Sequence, residues 1–443
     1  MNGQKRERGY VLGGGVVADG KGLFLSDGAL RVEDGVIREI GPSGSMMKGD
    51  LPFIDVKGRL ILPGMVNFHH HLYSTFSPGF SPLGPTETFS DILENLWWPL
   101  DRAVNEEILY YSVLMGALDS LSFGVTTIFD HHASMNLDRG SLDIAAEALN
   151  RAGCRGVLCL ETSDREGTEA RNRQIEENIS FWEKHRTDPF LSGMMGLHAN
   201  FTLSEESLAL VADRKPAEMP IHIHCGESIE DLLFCRRADY KGPVDRLRSF
   251  GLLDERSFLI HCINLAREEY TLLDSVRPAI VLNPESNANN RVGNPQRDRL
   301  PDHLLGTDGM SCDMISALRS YYLLGKGNQE SFTRMERMFF SLPGERLEQY
   351  LPGRFGFYPG APADIAVPEY IPLSPLNEDN ILGHLLFGAK GGRAFLTAVN
   401  GKILWFRGEF PHADMDTLRL EARSAAQNLA ARFLFKKSKG ESS

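Results

Sequence analysis

Short apolar segments recur eight times through the middle of this chain, separated by polar or amphipathic segments of helical length. They cover residues 61–71, 124–132, 155–162, 192–200, 219–228, 257–265, 279–287 and 304–309. Strands that alternate with helices form parallel sheets, and eight such units favour a closed (β/α)8 TIM-like barrel. The spacing alone leaves a mixed open sheet as the alternative architecture.

The two ends of the chain are rich in short strands instead. Residues 29–33 alternate between apolar and polar side chains, and Asp34-Gly35 predicts a tight turn into a second strand over residues 36–40. Asn400-Gly401 predicts a similar hairpin near the other end. Both ends are therefore expected to contribute strands to one small β-sandwich domain.

These patterns divide the chain into three predicted parts. Residues 1–60 and 357–415 form the small β-sandwich domain, residues 61–356 form the barrel, and residues 416–443 form a C-terminal helix and tail. The helix is expected to bury one face, on which apolar residues recur at helical spacing. That face comprises Leu418, Ala422, Ala425, Leu429 and Phe433.

The charge and cysteine content exclude several classes of protein. A formal net charge of -12 argues against nucleic acid or an anionic membrane as the main partner, because both favour clustered Lys and Arg. The six cysteines form no CxxC pair, which favours reduced thiols. The sequence has no apolar signal segment at its start and no run near the roughly 20 residues of a membrane helix. We therefore expect a cytoplasmic protein.

The first apolar run ends in a cluster of three histidines, at a position where barrels of this type carry their catalytic groups. Alternate residues of a strand share a face, so His69 and His71 are expected to point the same way and His70 the opposite way. Two imidazoles at this spacing can bind one metal ion. His70 is expected to pack outward or to form local hydrogen bonds.

The fifth run ends in a second group of candidate site residues. His224 is a candidate third nitrogen ligand, and Glu227, just past the strand, is a candidate proton donor or else a solvated loop carboxylate. His222 shares the face of His224 but lies one pleat deeper. A core position or a role in supporting a ligand is expected for it.

The sixth and eighth runs end in His261 and Asp308. Taken alone, His261 reads as a core histidine and Asp308 as a surface turn residue. A carboxylate at the barrel rim can also bind a hard cation and accept a proton from water. Because these motifs follow one another at the ends of separate predicted strands, they predict a metal-dependent hydrolytic site.

Several motifs resemble those of the metal-dependent amidohydrolase superfamily. Residues 63–71 (PGMVNFHHH) resemble its PGxxNxHxH motif, residues 224–227 its HxxE motif, and residues 196–204 (GLHANFTLS) its GLHAPYTLS segment. Residues 259–262 and 306–309 are similar to its motifs on strands six and eight.

The resemblance extends from about residue 10 to residue 415, and residues 359–364 match the PGxxAD segment before the terminal sheet. The motifs are most similar to the aminohydrolase and chlorohydrolase branch, which includes guanine deaminases and triazine hydrolases. Residues 72–74 and 97–102 are most similar to aminohydrolases of the SsnA type.

The resemblance implies a mononuclear aminohydrolase that releases ammonia from an amino-substituted, purine-like heterocycle by attack of a metal-activated water. It also implies a homodimer, which is common in this superfamily. One divalent ion, with zinc favoured over iron, would be held by four residues. These are His69, His71, His224 and Asp308.

The same resemblance assigns the remaining catalytic roles. Glu227 would protonate a ring nitrogen of the substrate, His261 would orient the attacking oxygen, and Asp308 would accept the water proton. The substrate contacts would include His198 and Asn287.

Three alternatives to deamination arise from the same motifs. A two-metal cyclic amidase commonly uses a carboxylated strand lysine, and residues 155–162 and 192–200 contain no lysine. A chlorohydrolase uses the same fold, but an acid such as Glu227 suits the poorer amine leaving group. A non-catalytic binding relative would be expected to lack ligands, and every ligand type is present.

Two segments depart from the superfamily pattern. Asn283 replaces a Cys that many relatives carry on strand seven, and the pair Asn289-Asn290 follows where a small or apolar residue is usual. These changes predict an unusual substrate pocket. The common deaminase pattern does not require His131 and His132, which could either line the pocket or cap a loop.

Overall fold

A computed structural model describes residues 9–325 and 332–440 of the chain. Parts of the predicted sandwich domain (residues 1–8), barrel (326–331) and C-terminal tail (441–443) lie outside the described residues.

The described residues form strands, helices and short helical turns. The strands are β1 (Gly9–Ala18), β2 (Phe24–Glu33), β3 (Val36–Pro42), β4 (Phe53–Asp55), β5 (Leu60–Pro63), β6 (Met65–His70), β7 (Val125–His132), β8 (Arg155–Leu160), β9 (Leu191–Gly193), β10 (Met195–Ala199), β11 (Ile221–Cys225), β12 (Phe258–His261), β13 (Ala279–Leu282), β14 (His303–Leu305), β15 (Ile365–Pro368), β16 (Ala394–Val399) and β17 (Lys402–Phe406).

The helices are α1 (Ser43–Met46), α2 (Phe89–Ile92), α3 (Trp98–Asp101), α4 (Glu106–Ser122), α5 (Ser141–Ala152), α6 (Gly167–Lys184), α7 (Glu205–Arg214), α8 (Ile229–Arg237), α9 (Pro243–Ser249), α10 (Glu269–Val276), α11 (Pro284–Asn289), α12 (Met314–Leu324), α13 (Phe332–Glu336), α14 (Leu342–Leu347), α15 (Ile381–Gly383) and α16 (Met415–Gly440). Short 3-10 or π turns cover Leu72–Ser74, Leu93–Trp97, Asn200–Thr202, Arg297–Arg299, Arg337–Ser341, Glu378–Asn380 and His384–Ala389.

Two parallel sheets form the centre of the molecule, with strand orders β6-β7-β8-β9 and β10-β11-β12-β13-β14. Parallel bridges join the sheets on both sides, between His70 and Asp308 and between Thr162 and Leu197. Only Met194 separates β9 from β10, so these two strands occupy one position. The sheets therefore form a ring of eight positions, which is the (β/α)8 barrel that the alternating pattern predicts.

The first apolar run is one strand in the sequence-based prediction and two strands in the structure. Residues 60–63 pair with β1 and β15, and the barrel strand starts only at Met65. Gly64 separates the two segments, and its amide donates to the carbonyl oxygen of Asp364. The predicted start of the first barrel strand at residue 61 is therefore wrong, because an apolar pattern does not record a change of sheet.

Strands from both ends of the chain form one further sheet, in the order β17-β16-β15-β5-β1-β2-β3, with β4 paired to β1. The strands from the N-terminal end of the chain and those from the C-terminal end share one apolar core, which includes Leu30, Ile37, Ile365 and Leu396. The hairpin turns at Asp34-Gly35 and Asn400-Gly401 are confirmed. All four of these residues have positive φ, as a two-residue turn of type I′ requires.

The barrel interior is apolar below the histidines. Phe129 packs against Phe68 and Phe258, with ring centroids 5.0 and 4.9 Å apart. Outside the barrel, α16 buries the five residues predicted for its apolar face. The six cysteines are free and buried. Within the ranges that the structure describes, no helix has the length and hydropathy needed to cross a membrane.

Candidate metal centre and active site

The four predicted metal ligands converge at the carboxyl end of the barrel. Asp308 Oδ1 lies 2.8 Å from His71 Nε2 and 3.2 Å from His69 Nε2. His224 Nε2 lies 3.4 Å from His71 Nε2. His69 and His71 come from the end of β6, His224 from β11, and Asp308 from the turn after β14. The barrel topology therefore brings together residues that are up to 239 positions apart.

The second ring nitrogen of two of these histidines is fixed by the main chain. His71 Nδ1 lies 2.6 Å from the carbonyl oxygen of His131, and His224 Nδ1 lies 3.0 Å from that of His198. A carbonyl oxygen only accepts, so each Nδ1 must carry the proton. Nε2 is then the atom that each ring offers to an ion.

The electrostatics of the cluster suit a divalent cation. Burial lowers the pKa of His69 to about 3 and that of His224 well below its usual value, so both rings are neutral. Burial alone would lower the pKa of His71, but the hydrogen bond and charge of Asp308 raise it to about 9. Burial opposes ionisation of Asp308, yet hydrogen bonds from His69 and His71 hold its pKa well below the usual range.

This donor set fits a zinc-like ion. Neutral imidazoles and a carboxylate are the ligands that zinc uses in catalytic sites. One possible ligand atom from each of His69, His224, His261 and Asp308 lies within 4.8 Å of the others. This group contains His261 in place of the predicted ligand His71, whose Nε2 reaches the cluster through its 2.8 Å contact with Asp308 Oδ1.

The backbone around Asp308 is strained and is held in place by its neighbours. Asp308 has a φ of 54°, in the left-handed region that a side chain disfavours by about 1–3 kcal/mol. His70 Nδ1 lies 2.6 Å from its carbonyl oxygen and must donate, while the Asp308 amide donates to the carbonyl oxygen of His69 (2.9 Å). The hydroxyl of Ser286 donates to Oδ2. His70 therefore forms local hydrogen bonds, and Oδ1 is left facing the histidines.

Glu227 and His261 lie beside the four candidate ligands. Glu227 Oε2 is 3.4 Å from His261 Nε2, and Asn290 donates to Glu227 Oε1 at 3.4 Å. Burial raises the pKa of Glu227 to about 7, although the charge of His261 opposes the shift. His261 Nδ1 lies 2.7 Å from Asn287 Oδ1. A carboxyl group with this pKa holds a proton near neutral pH, as a general acid must.

A cleft of about 790 Å³ opens onto this site. Its lining includes the predicted site residues His71, His198, His224, Glu227 and Asp308, and also polar and aromatic residues for which the sequence predicts no role in a pocket. They include Tyr73, Trp97, Trp98, Asp101, Glu161 and Phe201. A cleft of similar size, about 820 Å³, lies around Met65 and Phe340, and none of the described residues that line it is a histidine. The cleft beside the candidate metal ligands is therefore the candidate substrate site.

One of these missed residues carried a usable signal. Glu161 lies at the end of the third apolar run, where a polar residue is expected to reach the barrel rim. It pairs with Arg165, which also contacts Asp101 Oδ2 at 3.0 Å, and Asp101 Oδ1 accepts from Tyr73 (2.9 Å). Sequence gave no comparable signal for the aromatic residues, because apolar side chains at the mouth of a barrel resemble core residues.

Four further residues that the sequence singles out are buried and lie behind the surface of the cleft. Asn287 is almost fully buried, its Oδ1 lies 2.7 Å from His261 Nδ1, and it is not among the described residues that line the cleft; its contact with substrate stays a prediction. His131 lies below the ligands, where its Nε2 donates to the carbonyl oxygen of Leu197 at 3.1 Å. His132 contacts the loop hydroxyl of Ser134 at 2.8 Å. Asn283 is buried, with its amide 3.5 Å from His261 Nδ1.

The sequence is similar along most of its length to deaminases from other organisms. The chain is 27% identical over 425 residues to a 5-methylthioadenosine/S-adenosylhomocysteine deaminase from Nitratidesulfovibrio vulgaris, covering 92% of this chain and 94% of that protein. It is 28% identical over 425 residues to a 5'-deoxyadenosine deaminase from Methanobrevibacter smithii, covering 91% and 94%.

The fold has solved counterparts as well. An adenosine deaminase from Xanthomonas campestris with bound zinc superimposes with a TM-score of 0.81 at 21% identity, covering 95% of this chain and 98% of that one. The model of the amidohydrolase family matches residues 60–341. Because this match spans more than half of the chain, the protein belongs to the amidohydrolase family.

Proposed function

We propose that the protein is a mononuclear, metal-dependent aminohydrolase that removes an amino group from a purine-type heterocycle. The observation that carries the proposal is the convergence of three imidazole Nε2 atoms and one carboxylate beside a protonatable Glu227. The predicted cytoplasmic location and homodimer remain predictions.

In this proposal, His69, His71, His224 and Asp308 hold one divalent ion. A bound ion supplies Lewis acidity, which lowers the pKa of a water molecule toward neutrality. Zinc is the favoured ion because of the imidazole and carboxylate donors and because the adenosine deaminase with the same fold contains zinc.

The chain's own residues would move the protons. Asp308 accepts a proton from the attacking water, and His261, held through Nδ1 by Asn287, faces the same point through Nε2. Glu227 donates its proton to a ring nitrogen, which makes the neighbouring carbon electrophilic. The oxygen of the water forms a bond to that carbon, and the amino group takes the proton held by Asp308 and leaves as ammonia as the C–N bond breaks. Glu227 regains a proton from the added hydroxyl group as the product carbonyl forms.

The relatives guide the choice of substrate class. Both curated relatives are named as deaminases of adenosine-type compounds, which favours an aminopurine nucleoside over a chlorinated ring. The tryptophan and tyrosine side chains of the cleft suit a flat aromatic ring.

An ammonia-release assay of the zinc-loaded protein tests this proposal. We expect ammonia from at least one compound among adenosine, 5'-deoxyadenosine, 5-methylthioadenosine and guanine, and no chloride from a chlorotriazine. Glu227→Gln should lower kcat about 10²–10⁴-fold, because it removes the acid, without loss of bound zinc.

A matched variant separates this effect from a general loss of charge. Glu230 lies in the first turn of α8 and is not among the described residues that line the cleft. The variant Glu230→Gln should therefore retain activity. Chloride release without ammonia, or full activity in Glu227→Gln, would contradict the proposed reaction.

A further inference from the structure

His222 lies in β11 directly below the metal centre. It is 1% exposed, and its Nε2 lies 2.9 Å from Nδ1 of His69. Its other nitrogen, Nδ1, is buried without a partner among the described residues. Among the described residues, the imidazole of His222 is therefore hydrogen-bonded through Nε2 to His69.

The three candidate imidazole ligands differ in what holds them. Main-chain carbonyl groups hold Nδ1 of His71 and of His224, and no substitution of a side chain removes a carbonyl group. His69 instead has the side chain of His222 as its partner. Its orientation therefore depends on the identity of one residue.

Binding of an ion by His69 would determine which of the two facing nitrogens carries the proton. If His69 uses Nε2 to bind an ion, Nδ1 keeps the proton and donates it to His222 Nε2. His222 must then be neutral, with its own proton on Nδ1, because a charged imidazole would place two N–H groups face to face. A neutral acceptor leaves His69 less basic than a carboxylate would, so the ion retains more of its Lewis acidity.

We propose that His222 is a positioning residue that orients His69 and thereby sets the affinity of the site for its metal ion. This inference rests on the proposed ligand set. A buried partner of a metal ligand typically contributes a factor of about 10–100 in metal affinity.

Two substitutions of similar size test the proposal. His222→Leu removes the acceptor, and we expect it to weaken zinc binding about 10–100-fold. His222→Gln offers an amide oxygen near the position of Nε2, and we expect it to restore most of the affinity. Affinity is measured by competition with a zinc chelator, and geometry by the absorption spectrum of the cobalt-substituted protein, which should change in His222→Leu and not in His222→Gln.

A second buried histidine provides the control. His303 in β14 contacts the hydroxyl of Tyr321 at 2.6 Å, away from the ligands. His303→Leu should lower the midpoint of thermal unfolding without changing zinc affinity. Circular dichroism of the metal-free variants reports whether each one folds, and His222→Asn, with its shorter amide, replaces His222→Leu if the latter does not.

The outcomes separate this inference from the proposed function. Failure of the unaltered protein to bind zinc would overturn both. Zinc binding by the unaltered protein with equal affinity and spectrum in His222→Leu would overturn only the role of His222. Equal weakening in His222→Leu and His222→Gln would also overturn it, since the acceptor would then not matter.

Discussion

At the scale of single residues, Asn290 links the two proposed proton-handling carboxylates. Its amide lies 3.4 Å from Glu227 Oε1 and 3.4 Å from the Ser286 hydroxyl, which in turn donates to Asp308. Asn290→Ala removes the donor that holds Glu227 in place, so kcat should fall roughly tenfold while KM changes little. Steady-state kinetics on the best aminopurine measure both constants.

A variant on the other side of α11 serves as the comparison. The Ser320 hydroxyl binds Glu285 Oε1 at 2.9 Å, facing away from the cleft. Ser320→Ala should leave kcat unchanged, because it alters only the outer support of this helix. A tenfold loss in both variants would mean that α11 stability, rather than the contact with Glu227, determines the rate.

The charge state of His71 predicts how metal binding depends on pH. The pKa of about 9 in the metal-free protein means that His71 is protonated at neutral pH and must lose that proton before Nε2 can bind an ion. Zinc affinity should therefore fall about tenfold for each unit of pH below that value. Calorimetry in buffers of different ionisation enthalpy should detect about one proton released per zinc at pH 7.5. Binding without proton release would contradict the assigned charge.

Sequence could predict which side chains meet at the carboxyl end of the barrel, because each proposed ligand follows an apolar strand in a recognisable pattern. Their supports were not predictable in the same way. The carbonyl groups of His131 and His198 hold two of the proposed ligands, and a carbonyl group is common to every residue type. The sequence marks Asn290 only as an unusual residue, because its contacts with Glu227 and Ser286 depend on where α11 ends relative to β11.

At the scale of elements, the alternating pattern of the sequence predicts the order of the barrel strands and their eight positions in the ring. It does not predict the residues at which each strand begins and ends. The eighth run was predicted over residues 304–309, and β14 covers only His303–Leu305. The chain turns after β14 because Thr307 and Asp308 both donate to the carbonyl oxygen of His69. That turn brings Asp308 into contact with His69 and His71, and local sequence contains no information about a hydrogen bond to β6.

Gly306 lies where β14 meets β6, and a side chain there has no space. A Cβ atom at this position would lie 2.8 Å from Cβ of His69 and 2.5 Å from Asn283 Oδ1. Gly306→Ala should therefore displace β6, weaken zinc binding and cost about 1–3 kcal/mol of unfolding free energy. Zinc competition and urea unfolding of the variant measure the two effects.

Gly383 offers the matched control, because a Cβ atom there would meet nothing within 4 Å. Gly383→Ala lies in α15 and should be neutral or slightly stabilising. Normal zinc affinity in Gly306→Ala would show that the junction of β6 and β14 yields without moving His69.

At the scale of the whole molecule, one buried ion pair joins the barrel to the terminal sheet. Arg155 opens β8, and its Nε and Nη2 lie 2.8 and 3.2 Å from the carboxylate oxygens of Asp364, just before β15. Asp364 Oδ1 also accepts from the amide of Asn400 at 2.7 Å. Both side chains are at least 91% buried, and the guanidinium lies over the ring of Phe190.

Breaking this pair from one side should destabilise the molecule strongly, because a buried charge would be left without its partner. We expect Arg155→Met to lower the free energy of unfolding by about 3–5 kcal/mol. The exposed pair Lys184–Asp143, at a similar 2.7 Å, provides the comparison, and Lys184→Met should change stability by less than about 1 kcal/mol. Urea unfolding monitored by tryptophan fluorescence measures both. Arg155→Met could instead fold and lose no more unfolding free energy than Lys184→Met. The contact between the barrel and the terminal sheet would then depend on apolar packing alone, and the Asn400 amide would suffice to stabilise the unpaired charge of Asp364.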